Sequence, residues 1–443
     1  MSRLWWKGVK AVALASGLLA ATAAYAATEI ELFFPVPVDG QLARDMATLL
    51  KEFNETHPDI KATPVYTGSY DETLIKTRAA IKAGKPPAAA IMSANFLTDL
   101  KIENEITPLD DLIKASGKTD EQFMGQFFPA LHGNAVLDRH VYGVPFHNST
   151  PLLYYNVDHF KEAGLDPENP PKTWVELVDA AKKLTKREGD RVTRWGIMMP
   201  SNYDYGGWIL TALTMSNGGK YYNEDYGGEV YYDTPSMLGA LTFWSDLVHK
   251  HKVHPAGEQK GPGVSTAFLA GQASMMIIST GSLTHIRTNA KFPYKVAFVP
   301  INVRNAVAIG GASLVIPAGV DEAKRKAAWE LITWMTSPAK SGWWSRATGY
   351  FAPNMGAYEL PEMKEFLAKN PDAKIAVDQL AYAKSWFATY RTVAVRKAIE
   401  DELQAVVSGK KTPKEAIVAA QKTADDILKP YVDRTALHLP PTN

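Results

Sequence analysis

Arg396 is the residue with the most chemistry to account for. In a helix over 392–407, positions 396, 399, 403 and 407 share one face, and the other three are Ile399, Leu403 and Val407. A guanidinium on an apolar stripe has to be paired, because burying a lone charge is prohibitive. Its planar fork suits a carboxylate or a phosphate. Two readings stay open here: an internal ion pair, with Glu400 or a distant Asp, or the anion of a bound ligand.

Other short runs could join such a site. Ser279-Thr280-Gly281-Ser282 lies between an apolar run, 275–278, and a helical stretch, 283–289. A hydroxyl-rich turn there places backbone N–H groups at a positive helix end, a ready anion site; a plain Ser/Thr cap is the alternative. Gly310-Gly311-Ala312-Ser313 permits close backbone approach. It lacks G-x-G-x-x-G spacing, and no G-x-x-x-x-G-K-[ST] occurs. Asn148-Ser149-Thr150, between two apolar segments, fits either a cleft lining or a turn. Tyr70, Tyr203, Tyr205, Trp208 and Tyr350 stand in or near Gly- or Ser-containing loops. Such aromatics stack on an organic ligand or donate from O–H, or simply fill core and rim.

Catalytic and metal signatures are thin. His249, His251 and His254 form the one His cluster, beside Lys250 and Lys252 at a helix C-terminus, where positive charge complements the dipole. No carboxylate follows at a ligand spacing, so no metal site and no cofactor are expected. G-x-S-x-G, H-E-x-x-H and S-x-x-K with its companion motifs are absent. Asp110-Asp111 is a carboxylate pair, but a glycosidase needs two acids flanking a cleft. The expectation is a protein that is not an enzyme.

Composition sets the frame. The chain has 443 residues, beyond the size at which one core keeps growing, so two lobes are expected. At 46% hydrophobic and 21% charged it is ordinary globular, neither disordered nor polytopic. A net charge of +1 gives no field for wrapping nucleic acid. With no Cys, disulfides, thiolate nucleophiles and Cys-ligated zinc are excluded. Residues 1–26 read as a signal peptide. Arg3, Lys7 and Lys10 make the n-region, 11–21 the apolar core, and Ala24-Tyr25-Ala26 the cleavage site. That core is shorter than the ~20 residues a spanning helix needs. Export to a periplasm, with cleavage after Ala26, is expected, as a monomer.

The elements that must position these residues alternate. Apolar runs at 30–34, 62–66 and 88–92 read as strands, with helices over 42–53 and 71–82 between them. That is a parallel sheet with crossover helices. The pattern restarts with strands at 142–146, 151–155, 195–199, 275–278 and 295–299. Thr173-Trp174-Val175-Glu176 is a capping box opening a helix to 184, and another helix covers 236–249. A third block, 306–317, precedes a helix with Ala328, Leu331, Ile332 and Met335 on one face. Helices over 392–407 and 412–428 close the chain. Crossings without linker composition imply interleaved lobes: 27–143 plus 306–347, and 144–305 plus 348–443.

Several segments together resemble a known family. Pro171-Lys172-Thr173-Trp174 and Phe268-Leu269-Ala270-Gly271-Gln272-Ala273-Ser274-Met275 are similar to the periplasmic solute-binding proteins of ABC transporters. The resemblance is closest to their glycerol-3-phosphate binders. Gly68-Ser69-Tyr70, Pro145-Phe146-His147-Asn148-Ser149-Thr150-Pro151, Leu153-Tyr154-Tyr155-Asn156, Ser279-Thr280-Gly281-Ser282, Ile309-Gly310-Gly311-Ala312-Ser313, Thr348-Gly349-Tyr350 and Ser408-Gly409-Lys410-Lys411-Thr412-Pro413 carry it, in order along nearly the whole chain.

The resemblance implies a two-lobed α/β fold of the maltose-binding type, hinged between lobes, that closes on a small phosphorylated solute and hands it to membrane permease subunits. It implies ligand contacts at Tyr70, Ser149, Ser279, Gly311, Tyr350 and Arg396. Trp174 and Trp208 are expected to line the alcohol end. A glutamate that the family carries after the third strand is replaced by Ala94 here. The phosphate end is therefore retained and the alcohol end differs. A phosphodiester, or a neutral sugar in the same fold, is the alternative.

Overall fold

The computed structural model describes residues 27–36 and 41–435; the signal-peptide reading of 1–26 lies outside the described residues. Strand β1 (Thr28–Pro35) leads through helix α1 (Leu42–Thr56) to β2 (Ile60–Gly68), and helix α2 (Tyr70–Lys82) leads to β3 (Ala89–Ser93). Both β2 and β3 run parallel to β1. Every residue of β3 is buried, which is why it reads as an unbroken apolar run: helices cover both faces of the sheet. Met46, Leu49, Leu50 and Phe53 turn the apolar face of α1 onto that sheet.

The chain then makes β4 (Val144–Ser149), and one residue later β5 (Pro151–Asn156). Helix α3 (Trp174–Leu184), β6 (Lys186–Glu188), β7 (Arg191–Met198), helix α4 (Tyr205–Ser216), β8 (Ala273–Ser279), helix α5 (Leu283–Asn289), β9 (Tyr294–Ala297) and β10 (Gly310–Val315) follow. Two five-stranded mixed sheets result. One has the order β2-β1-β3-β10-β4 and the other β9-β5-β8-β7-β6. Each carries its own hydrophobic core. Helices α6 (Glu322–Met335) and α7 (Pro338–Thr348) cover the first sheet, and α8 (Thr392–Val407) packs into the second core.

Four expectations shift. The crossing expected between residues 143 and 144 falls at Thr150, because β4 pairs antiparallel with β10 in the first sheet, Ser149 opposite Gly310 and Val144 opposite Leu314. On the return, Val307–Ala308 pairs with Ala383–Lys384 beside the second core, so the first sheet resumes only at Gly310. The helix expected over 236–249 runs Pro235–Ser245 and ends in a π-helical turn, Asp246–Lys250. Tyr205 and Trp208, read as loop residues, lie on α4, whose buried faces leave no amphipathic stripe to read. Among the described residues no helix is long and apolar enough to cross a membrane.

The capping box at Thr173 forms as read. Thr173 Oγ1 accepts the Glu176 N–H at 3.2 Å, and a Glu176 carboxylate oxygen accepts the Thr173 N–H at 3.0 Å. Thr173→Ala should lower stability by about 1 kcal/mol, read as an earlier urea midpoint at unchanged slope.

Candidate functional site

The ends of strands from both sheets converge on one small cavity. Tyr70, Ser149, Ser279, Gly311, Tyr350 and Trp208, all expected from sequence, line it, together with Asp204, Tyr205, Gly310 and Trp386. Its volume is about 40 Å³, little more than one water's share of liquid volume. A solute larger than that does not fit the cavity as it stands. A cavity of about 570 Å³ on the outer edge of the second sheet collects none of these residues. Its Arg287 and Asp372 are already paired at 2.8 Å.

Local sequence explains how each wall residue is held. Ser69 caps α2 in a capping box with Glu72, which fixes Tyr70 at the first helical position. The Tyr70 hydroxyl lies 3.0 Å from His147 Nε2, and the His147 ring stacks on Tyr350 at 5.0 Å. Burial holds the His147 imidazole neutral, its pKa pushed down to about 3. Gly311 has φ +84°, and a Cβ there would sit 2.1 Å from the His147 carbonyl oxygen. At Gly310 a Cβ would meet the Trp208 ring at 2.7 Å. The glycine pair thus lets an indole lie against β10, where Trp208 Nε1 donates to Ala308 O at 3.0 Å.

Ser279 does two things. Its Oγ accepts the Gly281 N–H at 3.0 Å, and its own N–H donates to Tyr205 at 2.8 Å. The plain-cap reading of this turn therefore describes the bonds present, while the residue also faces the cavity. Asn148-Ser149-Thr150 is both lining and crossing. Ser149 reaches the cavity, and Thr150 bonds across to Thr280 through a 2.9 Å backbone hydrogen bond.

Arg396 is fully buried and fully engaged. Nη2 donates to both Asp71 oxygens at 2.9 and 2.7 Å, Nη1 to Asp204 at 2.8 Å and Nε to Glu400 at 3.2 Å. The internal ion pair left open by the sequence is present, and it holds both a distant Asp and Glu400. One partner changes its meaning: Asp71 sits on α2 of the first lobe, so the guanidinium spans the gap between lobes. The Phe96 and Trp386 rings lie 6.0 and 5.9 Å from it.

Glu400 is held hard. Its Oε1 accepts the N–H groups of Asp204 at 2.7 Å and Gly207 at 3.2 Å, at the opening of α4. Three carboxylates share one guanidinium, and its attraction does not offset the burial of Asp204 and Glu400. The pKa values of Asp204 and Glu400 are raised, with desolvation the largest cause, while that of Arg396 is raised by its acidic partners.

Trp174 is not at the cavity. It is the first residue of α3, stacks on Phe243 at 4.3 Å and belongs to the second core. The capping box fixes the helix start, and packing against Phe243 in the second core turns that side chain inward. Tyr203 is exposed, its hydroxyl on Asp401 and Lys397 over its ring. The histidines do structural work: His249 Nε2 lies 2.8 Å from the Val406 carbonyl, and His254 Nε2 accepts the Met199 N–H at 2.9 Å. No metal-holding cluster occurs among the described residues. Sequence reading missed Asp204, Gly310 and Trp386 as lining. The signal for Asp204 was there: an acid directly before Tyr205-Gly206-Gly207-Trp208, a helix opening bare enough for Glu400 to reach its N–H groups.

Comparison with known proteins follows from this geometry. The profile of the bacterial extracellular solute-binding protein family matches residues 48–376. The chain is 30% identical to the sn-glycerol-3-phosphate-binding periplasmic protein UgpB of Pectobacterium atrosepticum, over 96% of this chain and 97% of that protein. It is 31% identical to the protein of the same name from Escherichia coli K12, over 96% and 98%. Among solved structures, UgpB from Mycobacterium tuberculosis in complex with glycerophosphocholine superposes with a TM-score of 0.80 at 24% identity, covering 90% of this chain and 98% of that one. Maltose-bound MalE3 of T. maritima superposes with a TM-score of 0.78 at 22% identity, covering 91% and 100%. These likenesses establish the two-lobed, maltose-binding-like fold.

The raised acids give a sign to test. A carboxyl whose folded pKa lies above its unfolded value, near 4, binds more protons folded than unfolded. Stability then falls as pH rises from that unfolded value through the folded one. Glu400→Gln removes one such group, and its loss of stability between about pH 4 and pH 7 should be shallower than that of the unaltered protein in urea titrations across that range.

Proposed function

We propose a ligand for a chain that belongs to the bacterial extracellular solute-binding protein family: a small organophosphate such as glycerol-3-phosphate or a glycerophosphodiester, captured by lobe closure for an ABC importer. Export to the periplasm with cleavage after Ala26, and delivery to membrane permease subunits, are part of the same reading. The observation that carries it is the Asp71–Arg396 pair. A carboxylate from the first lobe accepts with both its oxygens from Nη2 of the second lobe's guanidinium. A phosphate presents oxygens to that fork in the same way.

The mechanism follows from which contacts need both lobes. When the lobes part, Asp71 leaves with α2 and Nη2 is freed. A solute phosphate that takes its place is met by neutral donors from both sides: the Tyr70 and Tyr350 hydroxyls and Ser149 from the side of the first core, where Tyr350 packs although 348–443 was expected in the second lobe, and Ser279 and Tyr205 from the other. Closure is favoured by the solute only to the extent that these contacts differ between open and closed states. The backbone at Gly310-Gly311 brings the strand close enough for its polar groups to join. The relatives named as glycerol-3-phosphate binders, at about 30% identity over nearly the whole chain, support the same class.

A neutral sugar is the second reading. The Trp208 and Trp386 rings at the cavity favour it, and fold neighbours such as the maltose-bound protein bind sugars. Thermal unfolding separates the two. At 100 times its dissociation constant a true ligand adds ~2.7 kcal/mol. Glycerol-3-phosphate or a glycerophosphodiester should raise Tm and maltose should not; a rise with maltose alone rejects the organophosphate. Arg396→Lys keeps the positive charge among its carboxylates but loses the fork. It should weaken a phosphate ester by about tenfold or more in calorimetric titration, and leave a neutral sugar's affinity within about threefold.

A further inference from the structure

Asp204 is the one acidic side chain among the described residues that line the cavity. Its backbone is unusual, with φ +71° and ψ −54°, a γ-turn geometry that is rare and strained for a residue with a Cβ. The strain is held in place from two sides. Its N–H is fixed on Glu400, and its carboxylate reaches Arg396 Nη1. Unlike Arg396, which is wholly enclosed, the Asp204 side chain keeps 30% of its exposure. It stands beside Trp208 and Tyr205. The one acid that lines the cavity therefore comes from the second lobe.

Charge inventory then limits what can bind. Asp71, Asp204 and Glu400 face one guanidinium, so the sealed cluster is already short of positive charge. The other ionisable groups facing Asp204 are the phenols of Tyr70, Tyr205 and Tyr350, none of them cationic. No basic side chain lines the cavity among the described residues. A phosphate monoester brings about −1.5 to −2, against a closed acid wall where like charges are costly. A phosphodiester brings one negative charge, and its second alcohol can offer hydroxyl or ammonium donors to Asp204.

Building on the organophosphate reading above, we propose that Asp204 determines specificity at this site, selecting phosphodiesters whose second arm carries hydroxyl or ammonium donors over phosphate monoesters. Asp204 accepts from that arm while Arg396 holds the phosphate. Trp208 and Tyr205 face the same arm, and their ring surfaces accept a cationic head as readily as a polyol.

Calorimetric titration of the mature chain with glycerol-3-phosphate, glycerophosphoglycerol and glycerophosphoethanolamine tests this, with maltose as control. The unaltered protein should bind the diesters tighter than the monoester by about tenfold or more. Asp204→Asn should bring that ratio to within about threefold. Asp204→Gly, which relieves the positive φ and so keeps the fold, should do the same. A monoester bound as tightly as the diesters by the unaltered protein, or a ratio unchanged in both variants, overturns the role of Asp204 and leaves the organophosphate reading standing. Binding of maltose with no phosphate ester bound overturns both.

Discussion

A single guanidinium shared by three carboxylates is the constraint on which the rest of this molecule is arranged. Arg396 is wholly buried, each of its three nitrogens is set on an acid, and the acids come from three places in the chain. Glu400 lies one turn along the same helix. Asp204 opens α4. Asp71 reaches in from the other lobe. Removing the guanidinium from such a buried set leaves uncompensated charge, typically worth ~3–5 kcal/mol. The cluster therefore ties α8 to α4 inside the second lobe and, through Asp71 alone, ties that lobe to the first.

This division explains why the surrounding wall holds no cation and is tightly drawn. Glu400 is anchored by backbone N–H groups as well as by Arg396, so it stays with its lobe. Asp71 has no such anchor in the second lobe and is carried by α2 of the first. Around them, hydroxyls and glycine-bared backbone bring the two sheets to within one small cavity. The close approach depends on a missing side chain: at Gly310 an indole from the second lobe occupies the space a Cβ would fill. Membership of a solute-binding family gives these features a purpose. A receptor that closes on its solute needs contacts that exist only when both halves meet.

Much of this was legible in the residues. The strands and helices of the first sheet, the helix 392–407 and the capping box at Thr173 carry strong periodic or capping signals, and they form where expected. Six of the eight expected contact residues line the cavity. Arg396 stands just behind its wall, because its acids draw it inward. Trp174 is the clear miss. Its place in a family-like motif said that a helix starts there, and nothing local said which way the ring turns. Helix α4 was read as loop because it is buried all round and opens with glycines, so it shows neither stripe nor propensity. The lobe crossing was misplaced for a similar reason: two apolar strands joined by one residue look alike whichever sheet each joins.

By itself the sequence determined that Arg396 must be paired, since an apolar helical face admits no lone charge, and that the chain alternates strands and helices in two interleaved blocks, since those patterns are local. It also marked Gly310-Gly311 as a place of close approach. Only the tertiary structure decided who the partners are. Asp71 and Asp204 lie far from Arg396 along the chain, and no periodicity links positions that meet across a gap. It decided, too, that Asp204 faces the cavity while Trp174 does not. Side-chain direction at a helix start is settled by what packs against it, and those neighbours come from elsewhere in the fold.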